Sequence, residues 1–438
     1  MDCAVVLFTR DLRVHDHPAL SGALDTADCV VPLFVLDSTL TAQSANRTAY
    51  LLDCLRDLGS KLHDRGGALV IARGDPVVET MRIADQNGAS AVFVSGDVTP
   101  YGRRREERLA VACETQRLAL HRCPGVTAVP SELLRPAGSD HYRVFTPYWR
   151  AWQHAPRRGV HAAPRRVRVP EGLASDAVPE LRELTDQQPS PDRPSGGESG
   201  ARKHLRSWTA SWLHRYGDLH DDLVADATSR ISAALHFGCI SPLELVERLE
   251  GREGAEAFVR QVCWRDFYHQ VLAAFPRLGS EDYRPSGHRW RRSESDLAAW
   301  QAGYTGYPIV DAGMRQLQQE GWMHNRARLI TASFLVKNLG LDWRHGAAHF
   351  MHWLVDGDVA NNSGNWQWVA GTGNDTRPYR RLNPLRQAER FDPDGDYVRR
   401  YVPELRPIPG AAVHRPWDLD DSIRRALEYP APIVDGPR

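Results

Sequence analysis

The segment Asp356–Trp368 combines polar and aromatic side chains in a way that could bind a ligand. It reads DGDVANNSGNWQW and places two aspartates, three asparagines and two tryptophans within about four helical turns. Carboxylates and amides can hold a polar ligand, while tryptophan rings offer an apolar surface on which it can stack. The segment therefore predicts one wall of a polar ligand site, although a tryptophan taken alone is more typical of a packed core.

A second cluster, Thr228–Ser232 (TSRIS), carries three hydroxyls and a guanidinium in five residues. Such groups can bind phosphate, with help from the backbone N–H groups of a helix start. The same residue types are also common as ordinary helix N-caps, so the cluster by itself leaves both interpretations open.

The elements that must position these residues differ along the chain. The first 126 residues alternate apolar runs with helical patterns, and the predicted strands are Ala4–Phe8, Val30–Leu36, Ala68–Ala72, Ala91–Ser95 and Leu118–Arg122. Continuous apolar strands separated by helices predict a doubly wound parallel sheet that is covered on both faces. No GxGxxG motif follows the first strand, which disfavours an NAD-dependent redox enzyme.

Beyond the α/β region the pattern becomes helical. Residues 186–200 (DQQPSPDRPSGGESG) have the composition of a linker, and helical periodicity dominates the chain after it. We predict an α/β N-terminal domain at 1–126, a long connector at 127–200 and an all-α C-terminal domain at 201–438.

Composition excludes several classes of protein. Charged residues make up 25% and hydrophobic residues 42% of the chain, which is typical of a globular protein. The formal net charge is zero, so a uniformly basic surface is excluded, whereas a local basic patch is not. The chain has no apolar run near the roughly 20 residues that span a bilayer and no CxxC pair, and because its N-terminus reads as an immediate strand we expect no signal peptide. We expect a cytoplasmic protein with reduced thiols, no membrane contact and no metal site.

Motifs along nearly the whole chain resemble the DNA photolyase/cryptochrome family. In order, they are LFTRDLRVHDHPAL, TSRIS, WRDFYHQ, GYPIVDAGMRQL, GWMHNRARLITASFLVKNL and NWQWVAGTG. The resemblance is strongest to bacterial class I cyclobutane pyrimidine dimer photolyases. It implies an α/β antenna domain, a connector and a helical domain that binds FAD.

The resemblance implies which residues bind FAD: Tyr216, Thr228, Ser229, Arg230, Ile231, Ser232, Phe258, Arg265, Arg328, Asp356, Asp358 and Asn362. Tyr216 and residues 228–232 would hold the phosphates, and Arg328 would pair with Asp356 beside the flavin. Asn362 would face flavin N5, where plant-type cryptochromes carry aspartate. A neutral amide there favours a flavin that is kept reduced for repair.

Three tryptophans match the electron-transfer chain of the family. Trp366 would lie near the flavin, Trp343 in the middle and Trp290 at the surface. This chemistry needs closely spaced oxidisable rings, which the wide separation in sequence does not itself predict.

The substrate contacts implied by the resemblance decide between related activities; they are Gln261, Trp264, Asn325, Arg326, Trp368 and Arg381. Trp264 and Trp368 would contact flipped-out bases, and Arg326 and Arg381 would bind phosphates of the lesion. Members that repair (6-4) photoproducts carry histidine at the position of Asn325, because their reaction needs a proton relay. Asn325 therefore favours repair of cyclobutane dimers.

Gln261 departs from the cyclobutane-dimer pattern, which usually has glutamate at this position. An amide can hydrogen-bond the bases but cannot share a proton with them. We expect weaker dimer binding or a lower quantum yield rather than loss of repair.

An antenna chromophore is also implied. Residues 96–105 (GDVTPYGRRR) are more similar to members that bind 8-hydroxy-5-deazaflavin than to those that bind methenyltetrahydrofolate. Asp37, Arg47 and Asp97 are the predicted pocket residues. The alternative is a surface loop and helix start without a chromophore.

Together, these features predict a carbon–carbon lyase of the deoxyribodipyrimidine photolyase type, acting as a monomer. An electron from light-excited reduced FAD would split a flipped-out cyclobutane dimer in UV-damaged DNA. The first alternative is a cryptochrome-like blue-light photoreceptor without repair, and the second, less favoured, is a (6-4) photolyase.

Overall fold

The computed structural model describes residues 2–173, 175–285, 287–374 and 379–435. Its strands are β1 (Cys3–Leu7), β2 (Cys29–Leu36), β3 (Val70–Arg73), β4 (Ala89–Ser95) and β5 (Ala119–Cys123). Its α-helices are α1 (Pro18–Thr26), α2 (Ser38–Thr41), α3 (Ala45–His63), α4 (Pro76–Gln86), α5 (Pro100–Gln116), α6 (Phe145–His154), α7 (Glu198–Trp212), α8 (Tyr216–Leu219), α9 (Ser232–His236), α10 (Pro242–Leu249), α11 (Ala255–Ala274), α12 (Glu294–Ala302), α13 (Pro308–Glu320), α14 (Asn325–Ser333), α15 (Trp343–Trp353), α16 (Val359–Ala370), α17 (Pro384–Phe391), α18 (Asp396–Tyr401) and α19 (Asp421–Ala426).

The chain forms two compact units. Unit 1 comprises Met1–Pro189, Ser195–His214 and Ser229–Pro276, and unit 2 comprises Ser190–Pro194, Arg215–Thr228 and Arg277–Arg438. Helices α7 and α9–α11 therefore cluster with the sheet rather than with the later helices. The domain bounds 1–126, 127–200 and 201–438 remain a prediction about the organisation of the chain.

All five strands of unit 1 are parallel, in the order β3-β2-β1-β4-β5. The central strand β1 is buried along its whole length, and its Val5 pairs with Val31 on β2 and Val92 on β4. The predicted strands agree with the observed ones to within two residues. The predicted fold class, a parallel α/β sheet followed by a helical region, is confirmed. Of the two edge strands, β3 is mostly buried and β5 is largely exposed.

A buried arginine ties the loop after β1 to distant parts of unit 1. Arg13 is 1% exposed, and its guanidinium donates to four backbone carbonyls. Two of these, of His15 and Asp16, lie in its own loop; the other two belong to Gly125, at 3.1 Å, and Gly238, at 2.9 Å. Since a buried guanidinium must have its donors satisfied, all three loop segments are held together.

Two carboxylates attach the later helices to the same loop. Glu198, in the first turn of α7, accepts hydrogen bonds from the backbone N–H of Val14 at 3.0 Å and the side chain of His15 at 2.6 Å. Asp16 accepts from Arg158 at 2.5 and 2.8 Å and from the hydroxyl of Ser241, the N-cap of α10. Burial alone would raise the pKa of Asp16, but the hydrogen bonds from Arg158 and Ser241 lower it to about 2. These contacts explain why α7 and α10 belong to unit 1.

Unit 2 is built around one apolar cluster in which tryptophans are prominent. Trp300, Trp343 and Trp366 are buried in it, and Trp290 packs against it from a half-buried position. Among the helices within the described ranges, none combines the length and apolar character needed to cross a bilayer.

Candidate functional site

Helix α16 gives the polar and aromatic segment its shape. Asp358 is the N-cap, and its Oδ1 accepts hydrogen bonds from the backbone N–H of Asn361 at 2.9 Å and from the Asn361 side chain at 2.7 Å. The cap fixes the start of the helix. Asn362 and Trp366 then follow on the same helix face at intervals of four residues.

That face lines a cleft in unit 2. The other walls come from α14, α15 and the segment that leads into α16; the lining residues are Asn325, Arg328, Leu329, Ala332, Phe350, Leu354, Asp356, Gly357, Asp358, Asn361, Asn362, Asn365, Trp366 and Val369. The structure therefore brings together several of the predicted cofactor residues, from α14 and α16, around one cavity. Trp290, Trp343, Arg326, Trp368 and Arg381 lie in the same unit but do not line this cleft.

The predicted Arg328–Asp356 pair is present in the cleft. Arg328 Nη2 donates to both carboxylate oxygens of Asp356, at 3.1 and 2.8 Å, and its Nε donates to the carbonyl of Met323 at 2.8 Å. Asp356 is 8% exposed, so the guanidinium stabilises a carboxylate that burial would otherwise destabilise. The pair gives the cleft a fixed, neutralised polar wall.

The side-chain amide of Asn362 is oriented by the neighbouring helix. Its Nδ2 donates to the carbonyl of Ala347 on α15 at 2.9 Å. No residue in the described ranges donates to Oδ1, so this atom is an acceptor available to a ligand in the cleft. The sequence indicated Asn362 but not Ala347, because no local motif relates positions on two helices.

Trp366 is held by very close packing at the inner side of the cleft. It is 2% exposed, and its ring centroid lies 5.0 Å from that of Phe350 and 6.0 Å from that of Trp300. Gly346 permits this packing, because a Cβ at this position would lie 2.1 Å from Trp366 Cη2. The glycine is a positioning residue that the sequence did not reveal.

The other two tryptophans of the predicted chain are held differently. Trp343 is fully buried, its Nε1 donates to Asp282 at 2.9 Å, and the Arg344 guanidinium lies 4.8 Å from its ring centroid. Trp290 is half-buried, and its neighbour Arg291 pairs through its backbone with Gly340, three residues before Trp343. Unit 2 thus places two tryptophans inside the cluster and one at its boundary; their roles in electron transfer remain predictions.

The predicted DNA contacts in unit 2 differ in exposure and in whether their side chains already have a partner. Arg326 is paired with Asp221, at 2.5 Å, and its guanidinium lies 4.3 Å from the Phe391 ring centroid. Trp368 is half-buried beneath the guanidinium of Arg380, 4.9 Å from its ring centroid. Arg381 and Asn325 are exposed. Of the two arginines, the exposed Arg381 is therefore more accessible to a phosphate than Arg326.

The TSRIS cluster does not act as an ordinary helix cap. Helix α9 begins at Ser232, and Ile231 occupies the N-cap without a side-chain hydrogen bond. Arg230 has a φ of 48°, a conformation that residues with a side chain rarely adopt. Thr228 Oγ1 is buried without a hydrogen-bond partner among the described residues, a state that a bound phosphate would relieve. Tyr216, at the start of α8, is buried with its ring 5.3 Å from His220.

Helix α11 in unit 1 carries the remaining predicted residues. Phe258 is buried against Trp208, with ring centroids 4.7 Å apart, whereas Gln261 is exposed. Trp264 is half-buried one turn further on. Arg265 donates to the carbonyl of Val126 at 2.7 Å, so at least one of its donors stabilises the protein itself.

The carboxylates of the two predicted antenna aspartates are already hydrogen-bonded within unit 1. Asp37 accepts from Thr39 and from the Tyr101 hydroxyl at 2.5 Å; burial alone would raise its pKa, but these bonds lower it. Asp97 accepts from Thr99 at 3.0 Å, and Arg47 is half-buried in α3.

Arg105 was missed by the sequence analysis of the antenna region. It is 8% exposed, and its Nε and Nη2 have no hydrogen-bond partner among the residues that the structure describes. The signal was present in the run of arginines at 103–105, but only burial distinguishes the third from the exposed Arg104.

Comparisons with known proteins give consistent matches along the chain. Residues 4–169 match the family described as DNA photolyase, and residues 258–437 match the FAD binding domain of DNA photolyase. The chain is 51% identical to the deoxyribodipyrimidine photo-lyase of Streptomyces griseus, over 99% of this chain and 97% of that protein.

Two solved structures extend these matches. A bacterial class III photolyase from Agrobacterium tumefaciens has a TM-score of 0.93 and 34% identity, covering 99% of this chain and 95% of its own. The cryptochrome of Synechocystis sp. PCC6803 has a TM-score of 0.92 and 29% identity, covering 99% and 97%. The expected subgroup, class I, is not confirmed, because the photolyase structure is of class III.

Gly346→Ala tests the tight packing of Trp366. The added methyl would overlap the indole ring, so we expect the free energy of unfolding to fall by about 1–3 kcal/mol and the tryptophan fluorescence of the folded protein to change. Urea denaturation followed by fluorescence measures both.

The matched control for this variant is Gly59→Ala on α3, where an added Cβ meets no atom within 4 Å. That variant should be stabilised by about 0.5–1 kcal/mol. Unchanged stability of Gly346→Ala would show that Trp366 has room to move.

Proposed function

The chain belongs to the DNA photolyase/cryptochrome family, and we propose that it repairs cyclobutane pyrimidine dimers in DNA with reduced FAD under light. The observation that carries the proposal is the fixed amide of Asn362 in a cleft that also holds the Arg328–Asp356 pair. This arrangement supports a photolyase that keeps its flavin reduced.

The residues present are compatible with FAD. Thr228 offers a buried hydroxyl that has no hydrogen-bond partner among the described residues and could donate to a phosphate. In the cleft, Asp358 and Asn362 offer polar groups, and Trp366 offers an apolar ring. We propose that residues 228–232 and Tyr216 bind the phosphates and that the cleft residues bind the flavin.

When bound, reduced FAD supplies the electron that light transfers to the dimer and that returns after the ring opens. Asn362 Oδ1 can accept a hydrogen bond from a protonated flavin N5, because its Nδ2 is engaged with Ala347. Arg328, which stays paired with Asp356, would offer the flavin a fixed polar wall without net charge. The chain would thus orient the cofactor rather than react itself.

Lesion binding is proposed for the residues that the resemblance to the family indicates. Trp264 and Trp368 would stack on extruded bases, and Gln261 and Asn325 would contact their polar edges. Arg381 would bind a phosphate directly. Arg326 already donates to Asp221 through Nε and Nη2, so a phosphate would have to share the guanidinium with this carboxylate or displace it, and either lowers the gain in affinity.

A repair assay tests the proposed function. Reduced protein is illuminated with one duplex that carries a cyclobutane thymine dimer and another that carries a (6-4) photoproduct, and restored thymines are counted by chromatography. We expect repair of the first duplex alone, because Asn325 cannot supply the proton relay that the second requires. Repair of neither duplex by a protein that binds FAD would favour a cryptochrome-like photoreceptor and contradict the proposal.

Asn362→Asp tests how the chain keeps its flavin reduced. A carboxylate cannot donate to the Ala347 carbonyl, and its charge disfavours the addition of electrons to FAD. We expect the midpoint potential of bound FAD to fall by roughly 60 mV or more, a tenfold change in a one-electron equilibrium. Spectroelectrochemical titration measures it.

The control for Asn362→Asp is Asn87→Asp, the same change at the end of α4 in unit 1. It should leave the midpoint potential at the wild-type value. If the midpoint potential of bound FAD were the same in Asn362→Asp and wild type, the amide would not be what keeps the flavin reduced.

We also propose that an 8-hydroxy-5-deazaflavin antenna binds beside Arg105. Its Nε and Nη2, which are buried and have no hydrogen-bond partner among the described residues, suit an anionic or carbonyl-bearing chromophore. Arg105→Gln should weaken binding of added deazaflavin about tenfold, measured by its fluorescence, while Arg104→Gln at the exposed neighbour should not. Absence of deazaflavin binding to the wild type would contradict this assignment.

A further inference from the structure

The ring of Trp264 is stacked on a second aromatic ring. Phe145, the first residue of α6, lies with its ring centroid 3.6 Å from that of Trp264 and with the two planes 4° apart. Phe145 is 6% exposed, whereas Trp264 is half-buried. Tyr268, one turn further along α11, also packs on Trp264, with ring centroids 5.7 Å apart and planes 30° apart. Phe145 therefore covers one face of Trp264, and the half-buried ring keeps only part of its surface exposed.

This geometry is not the one that two free aromatic rings prefer. Aromatic pairs favour offset or edge-to-face arrangements with centroids about 4.5–7 Å apart. Phe267 takes such a position at the edge of Trp264, at 5.5 Å and 87°. The nearly parallel stack of Phe145 on Trp264 must therefore be imposed by the surrounding structure.

Helix α6 is anchored to α11 on both sides of Phe145. Before it, the backbone N–H of Tyr142 donates to Gln270 Oε1 at 2.9 Å, and Gln270 Nε2 donates back to the Tyr142 carbonyl at 2.8 Å. After it, the indole of Trp152 donates to the buried carboxylate of Asp266 at 3.0 Å. These buried polar pairs are directional, so they fix Phe145 at one position along α11.

We propose that Phe145 is a positioning residue for lesion binding, which fixes the ring of Trp264 so that the part of the ring that stays exposed can stack on an extruded base. The proposal rests on the proposed function. A free tryptophan side chain would lose rotamer freedom when a base stacks on it, and this loss weakens binding. Because Phe145 already restricts the Trp264 side chain in the free protein, less rotamer freedom is lost when a base stacks on it.

Phe145 should therefore affect the binding of an extruded base. It should affect neither the binding of undamaged duplex nor the rate of repair once the dimer is bound.

Phe145→Leu tests the proposal, because it removes the aromatic ring and keeps an apolar side chain. The affinity of the FAD-loaded protein for a short labelled duplex, with or without one cyclobutane thymine dimer, is measured in the dark by fluorescence anisotropy. We expect the dissociation constant for damaged duplex to rise about fivefold to tenfold. The constant for undamaged duplex and the repair rate at saturating damaged DNA should stay within twofold of wild type.

A double-mutant cycle separates positioning from a general structural effect. In a Trp264→Ala background, Phe145→Leu should not weaken binding of damaged duplex any further, because its effect passes through Trp264. Phe145→Met replaces Phe145→Leu in the same cycle if the latter does not fold with bound FAD.

The matched control is Phe93→Leu, a buried ring on β4 that stacks on His121 at 4.3 Å and 15°. It should leave both dissociation constants unchanged. Wild-type affinity of Phe145→Leu for damaged duplex, an equal loss for both duplexes, or a further loss in the Trp264→Ala background would overturn the inference. A wild-type protein that does not prefer damaged duplex would instead overturn the proposed function.

Discussion

The buried guanidinium of Arg13 is the constraint on which unit 1 depends. A positive charge at 1% exposure is tolerated only when its donors are satisfied, and Arg13 satisfies them with carbonyls from three separate loop segments. The neighbouring residues of the same loop hold Glu198 and Ser241. One loop after the first strand therefore anchors helices that lie about two hundred residues later.

This constraint has a functional consequence within unit 1. The helices fixed to the sheet precede α11, which carries the residues proposed to meet the lesion. Stacking on an extruded base gains most when the protein ring is already in place, because little conformational entropy is then lost on binding. Phe145, held by α6, extends the same rigidity to the ring of Trp264.

Unit 2 is held rigid by close packing, by a helix cap and by ion pairs between arginines and aspartates. Gly346 leaves only enough space for Trp366, while Asp358 both caps α16 and lines the cleft. Arg328 and Arg326 are both paired with aspartates before any ligand binds. A cleft whose charges are already compensated can orient a cofactor without large movements of its walls, as electron transfer requires.

The sequence by itself determined the order of strands and helices, the FAD-binding motifs and the family, because hydrophobic periodicity and long motifs are local properties of the chain. It also indicated Asn362, Arg328 and Trp366 as site residues. Only the tertiary structure decided which polar groups remain available: Thr228 is unsatisfied among the described residues, whereas Arg326 is already paired. It alone revealed Gly346 beside Trp366 and Phe145 on Trp264. The physical reason is that pairing, burial and ring stacking join positions far apart in the chain, and their geometry depends on how helices pack rather than on any local pattern.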